Sequence, residues 1–322
     1  MTVKAQIKKQ NEVQNRFAKD TLEGLSRTPK KLSSKYFYDE IGDKLFQDIM
    51  NMPEYYLTNA EYEVFEMHKS ELLDLISKNA FDLIELGAGD GTKTKVLLHY
   101  FLEQKANFQY RPIDISSNVL LDLEEDLKAN LPELQVKSLP GDYFEMLEKL
   151  NSPNGIRKVI LFIGANIGNL TRENAAVFLQ KIHQKMAKGD LLLIGFDLKK
   201  DPQVILDAYN DPAGITAAFN LNLLHRMNRE LGTDFEVDAF KHWETYNPAT
   251  GETKSFIVST KKQSVQLFDQ TFYFDAWEAI DVELSQKYSL TEIENLAKNT
   301  GFSVAQHFFD SKKYFVDSLW QK

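Results

Sequence analysis

The 322-residue chain contains no cysteine. That absence excludes a thiol nucleophile, a cysteine-bound metal and any disulfide, and it fits a reducing compartment. No apolar run approaches the roughly 20 residues that cross a bilayer, so no membrane partner is expected. The opening Met1-Thr-Val-Lys-Ala-Gln-Ile-Lys-Lys is polar and lacks the apolar centre of a signal peptide. Together these features predict a soluble cytoplasmic protein. Positive charge is not concentrated anywhere: 38 Lys and Arg face 47 Asp and Glu, for a net charge of −9. Nucleic acid is therefore not an expected partner, because phosphate binding depends on clustered Lys and Arg. The histidines (His68, His99, His183, His225, His242, His307) form no H-x-H or H-x-x-x-H pair. No catalytic metal is expected. Internal repeats and low-complexity segments are also missing. What remains is 43% hydrophobic, enough for a sizeable core in one large or two ordinary domains.

The most informative stretch is Phe81-Asp-Leu-Ile-Glu-Leu-Gly-Ala-Gly-Asp-Gly-Thr92. It reads as a buried strand ending in an acidic residue and a glycine-rich turn, with Glu85 two residues before Gly87. Glycines let a backbone turn sharply and approach a ligand closely. A dinucleotide fold wants G-x-G-x-x-G, whose third glycine lets the next helix pack near a pyrophosphate. Here Gly87, Gly89 and Gly91 run G-x-G-x-G, and Thr92 stands where that third glycine would be. The E-x-G-x-G-x-G form is that of S-adenosylmethionine (SAM) methyltransferases, whose cofactor carries no phosphate. The plain alternative is a glycine turn without a ligand.

Two later strand ends add to this reading. Gln109-Tyr-Arg-Pro-Ile-Asp114 ends in a carboxylate about 23 residues after Gly91, where Rossmann-like folds accept the ribose hydroxyls. Asp114 could instead cap a helix, a task also open to Ser116, Ser117 and Asn118. Val136-Lys-Ser-Leu-Pro-Gly-Asp142-Tyr143 ends in an acidic–aromatic pair that could meet an adenine amino group and ring face. Equally, Pro140-Gly141-Asp142 is a turn.

From Phe81 onward strand and helix patterns alternate. Strands are expected at Phe81–Leu86, Gln109–Ile115, Gln135–Leu139, Lys158–Ile163 and Leu191–Phe196. Helices are expected near Thr92–Leu102, Asn118–Ala129 and Arg172–Ala187. An amphipathic helix from Ala60 to about Lys78 precedes them, with Val64, Leu72, Leu73 and Ile76 facing inward. Residues 1–30 are polar and helix-prone, and aromatics cluster between Tyr36 and Tyr56. Continuous apolar strands between helices imply a parallel sheet covered on both faces, with ligands at the carboxyl edge. The rhythm breaks over residues 199–287, which carry a polar helix around Ile215–Glu230. A hairpin is expected there between Lys254–Thr260 and Gln263–Phe268, turning at Lys261 and Lys262. A helix at Leu290–Thr300, ending at Gly301, and a closing hairpin of Val304–Phe309 with Tyr314–Leu319 complete the pattern. The expected fold class is α/β: a Rossmann-like seven-stranded class I methyltransferase domain (residues 61–198 and 288–322) with a second, substrate-binding domain (1–60 and 199–287).

Several further motifs are more particular: Lys35-Tyr-Phe-Tyr-Asp-Glu-Ile-Gly, Leu45-Phe, Pro53-Glu-Tyr-Tyr, Gly164-x-x-Ile-Gly-Asn169-Leu, Ala208-Tyr209-x-Asp-Pro-x-Gly-Ile-Thr-x-x-Phe-Asn220, Asn228-Arg-Glu-Leu and Glu283-x-Ser285-x-Lys-Tyr. With Glu85-Leu-Gly-Ala-Gly, they make the chain resemble, over nearly its whole length, the SAM-dependent histidine Nα-methyltransferases of ergothioneine biosynthesis. That resemblance implies that Gly87, Lys93, Asp114, Asp142 and Tyr143 hold SAM, with Tyr38 also in reach. It implies that Tyr55, Gly164, Asn169, Tyr209, Glu283 and Ser285 hold L-histidine, and it implies a monomer. The implied reaction adds up to three methyl groups, giving hercynine. Asn169 and Tyr209 are the implied catalytic residues.

The chemistry suits these assignments. Tyrosine hydroxyls donate to a carboxylate, and Asn169 offers an amide oxygen to the amine. Glu283 and Ser285, two apart, face one side of a strand, where a carboxylate and a hydroxyl distinguish imidazole from apolar side chains. Each residue also has a structural reading: Tyr55 and Tyr209 as packed aromatics, Asn169 as a helix cap, Glu283 and Ser285 as a solvated strand face. The sequence departs from the family at Ala165 and Asn166, where small hydroxyl residues are common. Competing readings are a methyltransferase for tryptophan-derived amines, an NAD-dependent oxidoreductase, and a non-catalytic SAM-binding protein. The carboxylate at 283 argues against an indole, and the early third glycine against NAD.

Overall fold

The computed structural model describes residues 15–149 and 156–322. The chain divides into two units, Leu57–Lys200 with Gln286–Lys322, and the segment up to Tyr56 with Asp201–Ser285. Residues 15–25 form helix α1, followed by α2 (Glu40–Met50) and α3 (Tyr56–Ile76). Strand and helix then alternate through β1 (Phe81–Leu86), α4 (Thr94–Glu103), β2 (Phe108–Asp114), α5 (Ser117–Asn130), β3 (Leu139–Pro140), α6 (Tyr143–Lys149), β4 (Arg157–Phe162), α7 (Arg172–Lys185) and β5 (Leu191–Asp197). The interruption contains α8 (Pro202–Tyr209), α9 (Ile215–Leu231), β6 (Phe240–Asn247), β7 (Glu252–Ser259), β8 (Gln263–Leu267), β9 (Gln270–Phe274) and β10 (Ala279–Gln286). The chain closes with α10 (Leu290–Asn299), β11 (Ser303–Phe309) and β12 (Phe315–Gln321).

The larger unit is built on a seven-stranded sheet ordered β11-β12-β5-β4-β1-β2-β3. Strands β3 to β5 are parallel, and β12 runs antiparallel to both β5 and β11. This is the seven-stranded α/β sheet with a closing antiparallel pair expected from the sequence. Every residue of β1 and β5 is buried, as a parallel strand covered on both faces must be. The period of two divides their side chains between two cores. Leu83, Leu161 and Leu193 pack with Val64, Leu97, Phe101 and Leu123; Ile84, Ile160 and Ile194 pack with Phe178, Ile182 and Ile293. Helices α3, α4 and α5 thus cover one face, and α7 and α10 the other.

The smaller unit has its own core, in which Phe219, Leu223, Leu224 and Met227 of α9 meet Phe37, Ile49, Ile257 and Val282. Its sheets are β10-β7-β6 and β8-β9. Asp211 starts α9: its carboxylate accepts the N–H groups of Ile215 and Thr216, both at 2.8 Å, which a helix start otherwise leaves unpaired. Arg226 on α9 donates to the carbonyls of Tyr36 (3.0 Å) and Tyr38 (3.1 Å). Asn228 clasps the chain after α9 through Phe235 and Thr233. The Asn228-Arg-Glu-Leu motif therefore serves structure in this unit.

The structure corrects four sequence expectations. The third strand, expected at Gln135–Leu139, is only Leu139–Pro140, with an isolated bridge between Tyr110 and Val136. The Ser138 N–H leaves the ladder for Glu124, and Pro140 has no N–H to give. The expected hairpin of Lys254–Thr260 with Gln263–Phe268 does not form: β7 pairs with β6, and β8 with β9. The chain turns instead at Asn247–Gly251, where the Gly251 N–H reaches the Asn247 carbonyl at 2.7 Å. Lys261 and Lys262 have no such turn chemistry. Helix α8 lies in a stretch given no helix, although Asp201 capping Gln203 and Pro202 at the first turn are start signals. Helix α9 is not polar all round, since it buries Phe219, Leu223, Leu224, Met227 and Leu231.

Candidate active site

In the larger unit the expected cofactor residues Gly87, Lys93, Asp114, Asp142 and Tyr143 lie at or after the carboxyl ends of β1, β2 and β3. Gly87 has φ of +76°, and a Cβ there would lie 2.7 Å from the Tyr143 hydroxyl, so only glycine fits. The Gly89 N–H donates to Asp114 at 3.2 Å, and the other Asp114 oxygen accepts from Ser116 at 2.9 Å. Space above Gly89 is open. Asp114 therefore fastens the turn to the end of β2 with its carboxylate half-exposed. It does not cap α5, whose cap is Ser116.

Tyr143 packs edge-on against Phe162 at 6.2 Å. Burial first, then the charges of Asp114 and Asp142, push its hydroxyl up to about 12, so it remains a donor. Asp142 caps α6 through the Phe144 N–H at 2.9 Å, and its carboxylate stays exposed. Lys93 forms an ion pair with Glu61 of α3, a buried carboxylate that also accepts the Gly164 N–H at 2.7 Å. Glu85, the acidic residue before the glycines, is fully buried and bonded to Tyr110 (2.5 Å) and Thr94 (2.7 Å). Burial raises its carboxyl to about 7 against the donors Tyr110 and Thr94.

Gly164 follows β4 and adjoins the Lys93 ammonium. Ala165 has φ of +55°, a conformation that costs a non-glycine residue energy and marks a segment held by its surroundings. Asn166 donates to the Ile163 carbonyl at 2.8 Å. The short 3-10 helix Asn166–Asn169 ends with Asn169 exposed. It does not cap α7, since Thr171 does so through the Asn174 N–H.

The other four expected histidine residues lie together in the smaller unit. The Tyr209 hydroxyl bonds to Ser285 at 2.8 Å, and the Tyr55 and Tyr209 rings meet edge-on at 6.4 Å. Ser255 Oγ lies 2.9 Å from Glu283 and 3.0 Å from Glu244. His242 Nε2 lies 3.0 Å from the Tyr209 carbonyl; a carbonyl only accepts, so Nε2 carries the proton. Burial lowers the pKa of His242 and keeps its ring neutral. Tyr38, 45% exposed, packs against Phe46 and Phe219 within this unit.

Sequence reasoning missed Glu61, His242, Glu244 and Ser255. For the last three the signal is the period-two pattern of β6 and β7, which puts His242 and Glu244 on one face and sets Glu244 opposite Ser255. Among the described residues, no three His, Asp or Glu are placed to hold a metal, and no helix is long and apolar enough to cross a membrane.

Each unit thus carries its own group of positioned donors, acceptors and aromatic faces. The family model described as histidine-specific methyltransferase, SAM-dependent, matches residues 17–322. A histidine N-alpha-methyltransferase of Mycobacterium tuberculosis is 37% identical over 84% of this chain and 84% of its own length. Its counterpart in Mycolicibacterium smegmatis is 35% identical with the same coverage. The ergothioneine biosynthesis protein 1 of Neurospora crassa is 30% identical over 90% of this chain, which spans 33% of that longer protein. By its sequence, the chain belongs to the SAM-dependent, histidine-specific methyltransferase family.

Proposed function

We propose that the enzyme methylates the α-amino nitrogen of L-histidine, in successive steps up to hercynine. The observation that carries this reading is the polar group of β6, β7 and β10, where Glu283 bonds to Ser255 and Ser285 to Tyr209. A carboxylate held in this way accepts an imidazole N–H, and an apolar side chain would leave it desolvated without a partner.

The larger unit's residues fit SAM: Asp114 for the ribose hydroxyls, Asp142 and Tyr143 for the adenine, Lys93 for a carboxylate, and Gly87 for close approach. Tyr38 belongs to the same proposed set. SAM supplies a methyl group on a sulfonium, activated for displacement. The protein's contribution is positioning. The Asn169 amide oxygen accepts an N–H of the neutral amine and so aims its lone pair. Tyr55 and Tyr209, the latter aligned by Ser285, donate to the substrate carboxylate, and Gly164 supplies backbone beside it. Tyrosine faces favour the growing quaternary ammonium by about 0.5–2 kcal/mol. The proposal includes a monomer working in the cytoplasm.

The deciding experiment supplies the purified enzyme with SAM and each common amino acid in turn and weighs the products. Histidine heavier by one, two or three methyl groups supports the reading and fixes the count. A methylated product from a tryptophan-derived amine, with none from histidine, would move the substrate to another branch of the family.

A further inference from the structure

Two carboxyl groups in the larger unit lie outside the roles given so far. Glu61 on α3 and Asp317 on β12 are both completely buried. The Glu61 carboxylate is occupied on both oxygens: Oε1 accepts the Gly164 N–H at 2.7 Å, and Oε2 pairs with the Lys93 ammonium. Gly195 on β5 leaves the space it needs, because a Cβ there would collide with Oε1. Asp317 stands opposite Gly195 in the β5–β12 register. Among the described residues no hydrogen-bond donor reaches either Asp317 oxygen. The polar group lying against it is Glu61 itself.

Two carboxylates in contact and away from water cannot both ionise, but one proton between them satisfies both. The charged groups facing Asp317 are Glu61 from α3 and Lys93 from the turn before α4. Its strand neighbours, Gly195 on β5 and Phe308 on β11, bring no charge. Burial first, then the negative charge of Glu61, push the Asp317 carboxyl well above its ordinary range against the pull of Lys93.

We infer that Glu61 and Asp317 hold one proton between them, carried by Asp317, and that Glu61 is thereby fixed as a positioning residue for methyl transfer. One ionised carboxylate grips both the lysine assigned to SAM and the glycine assigned to histidine. Neutral Asp317 keeps the cluster of Glu61, Lys93 and Asp317 without net charge where an anionic carboxylate of SAM must approach. The inference rests on the proposed assignments of Lys93 and Gly164.

Three variants of the full chain test it. Asp317→Asn keeps a neutral group of the same shape, and its Tm is compared with the parent across pH. A carboxyl that takes up a proton on folding costs stability as pH rises above its unfolded value, near 4. The Tm of Asp317→Asn should therefore gain on the parent as pH rises from about 5 to about 8. A variant less stable than the parent by the same margin at every pH overturns the shared proton. Glu61→Gln leaves one acceptor oxygen for the two donors, the Gly164 N–H and the Lys93 ammonium, and sets an NH2 against the other. Titration calorimetry should show SAM affinity falling about tenfold, with the histidine KM rising as well. Lys93→Met separates the two layers of argument. If Lys93→Met weakens SAM binding and Glu61→Gln does not, the positioning role falls alone. If Lys93→Met binds SAM like the parent, the assignment of the lysine falls and the positioning role with it.

Discussion

Glu283 is half-buried, and its Oε2 already meets Ser255 at 2.9 Å, so removing it strips the smaller unit of a carboxylate aimed by a neighbour. Glu283→Ala should raise the histidine KM by about 10-fold to 100-fold, the worth of a charged hydrogen bond, with SAM affinity kept. Steady-state kinetics beside a SAM titration checks this, and joint loss of both affinities would mean a folding defect instead. Asn169 makes the opposite split. It is exposed at the end of its turn and does not cap α7, so it is free of the structural task that the sequence left open for it. Asn169→Ala should lower kcat by about 100-fold, as loss of a transition-state contact does, with the Tm held; undiminished turnover would sink the orienting role. At this scale the sequence was readable where a residue had to be one type. Gly87 is the clear case, since the Tyr143 hydroxyl leaves no room for a side chain. Glu61 was unreadable because nothing around it in the chain shows that it meets Lys93 and Gly164.

The element scale explains why the parallel strands were legible and the inserted ones were not. In β1 and β5 every residue is buried, and an unbroken apolar run carries that information locally. Partners in β6 to β9 follow the turns, and the Asn247–Gly251 turn outweighed the hairpin expected around Lys261 and Lys262. Helix α8 was missed although Asp201 and Pro202 mark its start, because it has only eight residues to show a period. The start of α9 is the best test of how such local chemistry acts. Asp211 accepts two N–H groups there, and these donors hold its carboxyl below the ordinary range despite burial. Asp211→Ala should destabilise the protein by about 1–2 kcal/mol. Urea unfolding at neutral pH measures it, and a loss well under 0.5 kcal/mol would show that the glycine at 214 starts the helix unaided.

For the whole molecule, the balance of buried carboxyl groups sets how stability responds to pH. Glu85 sits in the centre of the larger unit, fully buried, with Tyr110 and Thr94 donating to it. Burial outweighs those donors and raises its carboxyl from 4.5 to about 7. An acid raised on folding leaves the native state holding more protons than the unfolded chain. Its contribution is complete below pH about 4.5 and is lost as pH climbs toward about 7, a change of about 3 kcal/mol. A glutamate at the end of the first strand thus makes the fold less stable at neutral pH than at pH about 5, apart from the carboxylates held low, such as Asp39 and Asp211, which act in the reverse sense below pH 4. Glu85→Gln keeps one acceptor and one donor in place without a proton to gain. Its Tm should gain on the parent between about pH 5 and pH 7, and the difference should level off above that range. A parallel course of the two Tm curves through this window would mean that Glu85 is ionised in the native protein and held by Tyr110 and Thr94, with burial the lesser effect.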